Sequence, residues 1–210
     1  GLKDVGERVF YYKLAYSAVK SAFFPDLTSL SSDYACANMF YSCKFLTSVD
    51  MENLTVVNAR ESCGYMFGYS EIPSVGLKNL TTISGLSGCS NMFYGCSKLI
   101  KAIVENLTTI SGQQGANNMF NGCSKLIKAG LENLTTISGR QGCTGMYYGC
   151  ASLTKEYFPM LTTVTQADAM GFASYNLMFG NCTGITELHF RKDAQAAIEG
   201  LTAYSSKFGA

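Results

Sequence analysis

From Lys78 to Phe158 the chain states one 27-residue unit three times: KNLTTISGLSGCSNMFYGCSKLIKAIV, ENLTTISGQQGANNMFNGCSKLIKAGL and ENLTTISGRQGCTGMYYGCASLTKEYF. Self-similarity at this period constrains the fold more than any single residue does. The apolar side chains of one copy are too few to offset the entropy of ordering its backbone, so copies must stack and share a core. A single cooperative domain over residues 1–210 is therefore expected.

Weaker copies extend the array on both sides. The leucine opening each copy recurs at Leu27, Leu54, Leu80, Leu107, Leu134 and Leu161. The methionine follows at Met39, Met66, Met92, Met119 and Met146, then at Met178 after 32 residues, so the last copy carries five extra residues within 165–176. Insertions in a solenoid map to loops on one face and are frequent sites of function. Residues 1–26 read as an N-terminal cap, a worn half repeat with a short helix over Val5 to Leu14. Residues 191–210 read as a capping helix, N-capped by Asp193 and placing Ala194, Ala197, Ile198 and Leu201 on one face.

Inside a copy, Cys89, Met92, Phe93 and Cys96 fall at i, i+3, i+4 and i+7, which predicts a short helix. Gly95, Gly122 and Gly149 would supply its left-handed cap. Ala102 and Val104 alternate as in a half-buried strand, and Leu107 to Ile110 predict a second short one. The expected fold class is α/β: about six repeats of 26–32 residues over 27–190, each with short strands and one short helix, capped at both ends.

The chemistry-bearing residues mostly recur on this period. Of nine cysteines, Cys36, Cys63, Cys89 and Cys143 lie three before the Met, and Cys43, Cys96, Cys123, Cys150 and Cys182 lie four after it. Ala116 and Ser70 replace them in other copies, as expected of small buried residues, so free buried thiols are favoured and disulfides are the alternative. Asn53, Asn79, Asn106 and Asn133 each form an Asn-Leu-Thr sequon, open to glycosylation in a eukaryotic secretory host, and all share one column. The Gly85-x-x-Gly88 loop and its copies lack a phosphate-binding context and read as turns. One histidine, no nucleophile elbow and no repeated acidic pair give no catalytic constellation, so neither an enzyme nor a cofactor is expected. A net charge of +1 argues against specific nucleic-acid binding, and no apolar run approaches the length of a membrane span.

The spacing of Leu99, Ala102, Val104, Asn106 and Leu107 is similar to the strand signature of leucine-rich repeats. The block NMFYGCSKL, with its Met-Phe, Gly-Cys and following Leu, resembles the BspA-like leucine-rich repeats of bacterial surface proteins. The likeness covers roughly Phe24 to Phe190, and it implies that Asn53, Asn79, Asn106 and Asn133 form a stacked structural ladder whose side chains bond turn backbone. It implies a right-handed superhelix, secreted or attached to the cell surface, used for adhesion to a protein or glycan partner of host or matrix origin and devoid of catalysis. A structural spacer or fibre component of a phage or cell envelope is the alternative. Glu156 departs from the pattern, standing where Ala102 and Ala129 stand, and predicts a shift of strand register in that copy.

Surface specificity should lie where copies differ. Lys101, Lys128 and Lys155 share one column, and Ile103, Tyr157 and His189 point out of the same strand face. Stacked like charges persist either because their stems fan into water or because an anionic partner meets them. This mixed basic and apolar face is the candidate partner-binding surface. Tyr41, Tyr94 and Tyr148, two after the Met, lie on the outer side of the predicted helices and suit either contact or burial between copies.

Overall fold

The structure, a computed structural model, describes residues 4–164 and 178–190. The insertion at 165–176 and the expected capping helix at 191–210 lie outside the described residues. The rest is a parallel β-solenoid whose coils follow the sequence period. Its strands are β1 (Ser21–Phe23), β2 (Ser29–Leu30), β3 (Ser48–Asp50), β4 (Val56–Val57), β5 (Ser74–Gly76) and β6 (Thr82–Ile83), followed by β7 (Lys101–Ile103), β8 (Thr109–Ile110), β9 (Thr136–Ile137), β10 (Lys155–Phe158), β11 (Thr163–Val164) and β12 (Glu187–Phe190). One face is the sheet β1-β3-β5-β7, continued by a bridge from Lys101 to Lys128 and then by the pair β10-β12. A second face is the six-stranded sheet β2-β4-β6-β8-β9-β11, and every pairing is parallel and joins neighbouring coils.

The third face corrects the expected α/β class. Where Cys89, Met92, Phe93 and Cys96 predicted a helix, and where Val5 to Leu14 predicted another, the described residues contain no helix. The chain instead runs as a ribbon of consecutive turns. A left-handed residue recurs every fourth position, at Ser87 (φ 54°), Asn91 (φ 57°) and Gly95 (φ 69°). Ser90, Met92, Tyr94 and Cys96 donate their amides three residues back. The residues alternating with them, Ser87, Cys89, Asn91, Phe93 and Gly95, donate to Gln113, Gly115, Asn117, Met119 and Asn121 of the next coil at 2.7–2.9 Å. A helix spends its amides within its own segment; this ribbon gives half of them to its neighbour.

The sequence pattern could not separate the two. Over the seven steps from Cys89 to Cys96, a helix at about 100° per residue and a four-residue ribbon at about 90° drift apart by only about 70°. The backbone settles it: a left-handed residue every fourth position and amides given to the next coil do not occur in a helix, whereas the buried set Gly88, Cys89, Met92, Phe93 and Cys96 suits either geometry. The N-terminal segment is the same ribbon, with positive φ at Arg8, Tyr12 and Tyr16, and its Phe10 amide donates to Ala35. It is a coil in its own right, completed by β1.

Stacking in register turns each sequence column into a ladder. Phe40, Phe67, Phe93, Phe120, Tyr147 and Phe179 stack with ring centroids 5.1–5.6 Å apart through the core. The opening leucines from Leu27 to Leu161 are fully buried beside them. Asn53, Asn106 and Asn133 donate side-chain amides to Pro25, Lys78 and Glu105 one coil back at 2.6–2.7 Å, the structural ladder expected of them. The thiols of Cys43, Cys96, Cys123, Cys150 and Cys182 point at carbonyls of the preceding coil at 2.9–3.2 Å. Ser70, the substitute in this column, is buried too, and its hydroxyl lies 3.7 Å from the Cys96 thiol one coil on. All nine cysteines are free and buried.

The glycines before each ribbon are set by close approach. A Cβ on Gly112 would lie 2.1 Å from the Gly85 carbonyl oxygen, and one on Gly139 would lie 2.0 Å from that of Gly112. Gly112→Ala must push two coils apart, at a cost of about 1–3 kcal/mol typical of overpacking. The urea midpoint should fall accordingly, and an unchanged midpoint would contradict the contact. Burial pushes Cys36 and Cys96 up to about 12 and Cys182 up to about 11. The native protein should therefore react slowly with a thiol reagent such as DTNB, and all nine cysteines should react once it is unfolded. A fast-reacting native thiol would count against this core.

Candidate functional site

Alternation along the first face decides which candidates reach solvent. In β7 and β10 the burial runs exposed, buried, intermediate, so Lys101, Ile103, Lys155 and Tyr157 point outward and Ala102 and Glu156 inward. Parallel register sets Ser74 beside Lys101 and Gly76 beside Ile103, and at the far end Lys155 beside Glu187 and Tyr157 beside His189. The N-terminal half of this face presents Ser21, Phe23, Ser48, Asp50, Ser74 and Gly76; the C-terminal half gathers charged and aromatic side chains on adjacent strands.

Three of the six candidates meet there. Glu187 lies 3.6 Å from Lys155 and 3.3 Å from His189, and it accepts a hydrogen bond from the Tyr157 hydroxyl at 3.3 Å. The Tyr157 and His189 rings stack with centroids 4.7 Å apart. The His189 hydrogen bond, then the Lys155 charge, hold the Glu187 carboxyl below its ordinary value. Lys128 turns elsewhere, to Glu132 at 2.7 Å, while Lys101 has no ion pair among the described residues. Two of the three lysines are thus paired rather than forming a cationic stripe, because an acidic residue four positions along (Glu132) or one coil on (Glu187) reaches them. Glu132 and Glu187 were the residues missed. Glu187 stands in the lysine column itself, nine after Met178, so its departure was visible in the sequence, whereas Glu132 lies in a neighbouring column and meets Lys128 only in the folded coil.

A second aromatic surface occupies the ribbon of the N-terminal coils. Tyr41 packs edge-on against Tyr16 at 5.6 Å and Tyr69 at 5.5 Å, and Tyr69 reaches Tyr94 at 5.5 Å. Tyr12 and Tyr65 flank the row, at 6.4 and 6.3 Å from Tyr41. Tyr41 and Tyr94 were noticed in the sequence; their neighbours were not, because they fall in other columns and meet only once the ribbon is folded. Among the described residues, no group of three or more His, Cys, Asp or Glu gathers in a way that could hold a metal ion.

No family model matches the chain, and no curated protein matches its sequence. Among solved structures, a leucine-rich cell surface protein from Faecalibacterium prausnitzii A2-165 aligns over 93% of this chain and 85% of its own, at 12% identity and a TM-score of 0.25. So low a score transfers neither fold nor function. What stands on the chain's own geometry is a repeat protein of solenoid form.

The fifth copy was expected to shift its strand register around Glu156. Register is kept, with Glu156 paired to Leu188, and the carboxyl is carried inside at 3% exposure. The irregularity falls one coil earlier: Gly130, at φ 83°, leaves the extended region, so only a bridge forms where a strand would continue. The same copy replaces the ladder phenylalanine with Tyr147, whose buried hydroxyl has no hydrogen-bond partner among the described residues. Burial pushes Glu156 up to about 8, with the Glu132 charge adding to it and the backbone amide of Tyr157, Lys128 and the amide of Leu131 opposing.

The folded form thus holds a proton on Glu156 that the unfolded chain releases above the ordinary carboxyl value of 4.5. Its contribution is fully present below that value and is lost as pH rises towards about 8. Thermal melts at pH 5, 6.5 and 8 should show a falling midpoint in the wild type. In Glu156→Gln the midpoint should be flatter and higher at pH 8 by at least about 4 °C. Parallel profiles for the two proteins would rule out a titrating buried carboxyl.

Proposed function

We propose that this chain is a non-catalytic interaction module of a bacterial surface or secreted protein, engaging a protein partner through the C-terminal half of its first strand face. The observation that carries the reading is the Lys155, Tyr157, Glu187 and His189 cluster, exposed yet braced by its own contacts on paired strands. Aromatic and charged side chains held on rigid elements lose little entropy on docking, which is what an interface anchor needs. Ile103 and Lys101 extend the same outward face two coils away. Because Lys128 and Lys155 are already paired with carboxylates, the partner is better matched by a mixed-charge protein surface than by a polyanion. The surface or secreted location rests on the resemblance of the NMFYGCSKL block to BspA-like repeats.

An array of host and extracellular-matrix proteins, probed with the wild-type chain, provides the test. The double variant Tyr157→Ala/His189→Ala should weaken any recovered interaction about tenfold or more, equivalent to about 1.4 kcal/mol. The triple variant Lys101→Ser/Lys128→Ser/Lys155→Ser should mainly slow association and reduce its salt dependence. Full retention of binding by both variants would remove this face from consideration. Absence of any protein partner would favour the spacer or fibre reading instead.

A further inference from the structure

We propose that the ribbon face of the N-terminal coils is a binding platform for a neutral polysaccharide, separate from the strand face. The first argument is conformational. Tyr12, Tyr16, Tyr34, Tyr65 and Tyr69 all stand at left-handed φ, between 50° and 59°. Bulky side chains disfavour that region, and Gly and Asn favour it. Later coils obey the preference in two of the three left-handed columns: Asn91 and Asn118 stand where Tyr65 does, and Gly95, Gly122 and Gly149 where Tyr69 does. Local backbone preference therefore works against these tyrosines. Core packing does not require them either, since Tyr16 is 70% exposed, Tyr12 44% and Tyr69 41%. A residue type held against its conformational preference and away from the core points to a use at the surface.

The second argument is shape. The ring contacts through Tyr41 run across four successive coils, so the rings form a continuous sheet of aromatic surface. The tyrosine rings lie down on neighbouring backbone: a Cβ on Gly95 would come within 2.7 Å of the Tyr69 ring, and one on Gly68 within 3.0 Å of the Tyr41 ring. These two glycines let the rings settle against the coils and keep the surface shallow.

The third argument is charge. In the ribbon columns one before, two after and three after the Met, these coils carry only Tyr, Asn, Ser, Ala and Gly. Charge is sparse around the row centred on Tyr41: Arg8 and Arg60, beside Glu7 and Glu61, lie over the Tyr34 ring, Lys44 bonds the Tyr69 carbonyl, and Lys13 is exposed in the first coil. A platform of aromatic faces and phenol hydroxyls with little charge complements a partner with apolar C–H faces and neutral hydroxyl edges. A sugar polymer has both, and its repeat suits a surface that itself repeats from coil to coil. A proline-rich peptide also stacks on aromatics, but it needs a groove between ridges rather than a flat row.

Affinity gel electrophoresis of the full chain in β-1,3-glucan, mannan, dextran and heparin, with a polyproline peptide titrated separately, tests this. At least one neutral polysaccharide should retard the wild-type protein. The variant Tyr12→Asn/Tyr16→Gly/Tyr65→Asn/Tyr69→Gly should lose that retardation at least tenfold. It should melt no lower than wild type, since it places in these columns what later coils already carry. The single variant Tyr16→Gly, at the most exposed ring, should lose part of the retardation and guards against misfolding of the quadruple change. Tyr157→Ala/His189→Ala should bind as wild type does, which separates this platform from the strand face. No retardation by any neutral polysaccharide, unchanged retardation of the folded quadruple variant, or binding confined to heparin or to the polyproline peptide would each overturn the proposal.

Discussion

Hydrogen bonds between coils are the interaction on which this structure depends. A 27-residue loop of chain has too little apolar surface to order itself, and here it has no helix in which to satisfy its own backbone. Its amides on the two sheet faces, and every second one on the turn ribbon, are satisfied by the coil above or below. The solenoid is therefore cooperative along its length: no described coil has its backbone complete without a neighbour. The same requirement fixes the register of strands and ribbon, while the connections between them absorb changes of length: Leu54 to Leu80 is 26 residues rather than 27, yet Val56 still pairs with Thr82 and Ser74 with Lys101.

Once coils are held in step, each side chain sits directly over its own counterpart, and every column must tolerate stacking. Planar rings do so face to face, as in the phenylalanine ladder. Asparagine, threonine and cysteine do so by donating to a carbonyl one coil back, as Asn106, Thr108 and Cys123 show. Glycine at Gly85, Gly112 and Gly139 does so because nothing larger fits. The repeat's unusual composition follows from these ladders. Departures from a column carry information for the same reason: Glu156 places a carboxyl in a column of small apolar residues, and Tyr147 a hydroxyl in a column of phenylalanines, and both occur in one copy.

The exposed surfaces divide along the molecule. Towards the C-terminal end, the strand face presents charges and rings that brace one another around Glu187. Towards the N-terminal end, the ribbon presents tyrosines with little charge among them. Both are built on elements whose backbone is fixed by neighbouring coils, so side-chain chemistry varies over a constant frame.

The sequence by itself determined the period, most of the strand positions and the inward columns, because each is a matter of recurrence and recurrence is visible in one dimension. The buried free thiols were legible for the same reason, and the asparagine ladder through the resemblance to leucine-rich repeats. Tertiary structure decided the rest. Whether Cys89, Met92, Phe93 and Cys96 lie on a helix or on a turn ribbon depends on whether amides bond within the segment or to the next coil, and seven steps of sequence fit both. The pairing of Lys128 with Glu132 was hidden because the two stand in different columns, whereas that of Lys155 with Glu187 follows from a charge reversal within the lysine column itself. The tyrosine platform was hidden because its members occupy different columns. Their convergence depends on a left-handed turn every four residues, a backbone geometry that tyrosine by its own preference would not announce.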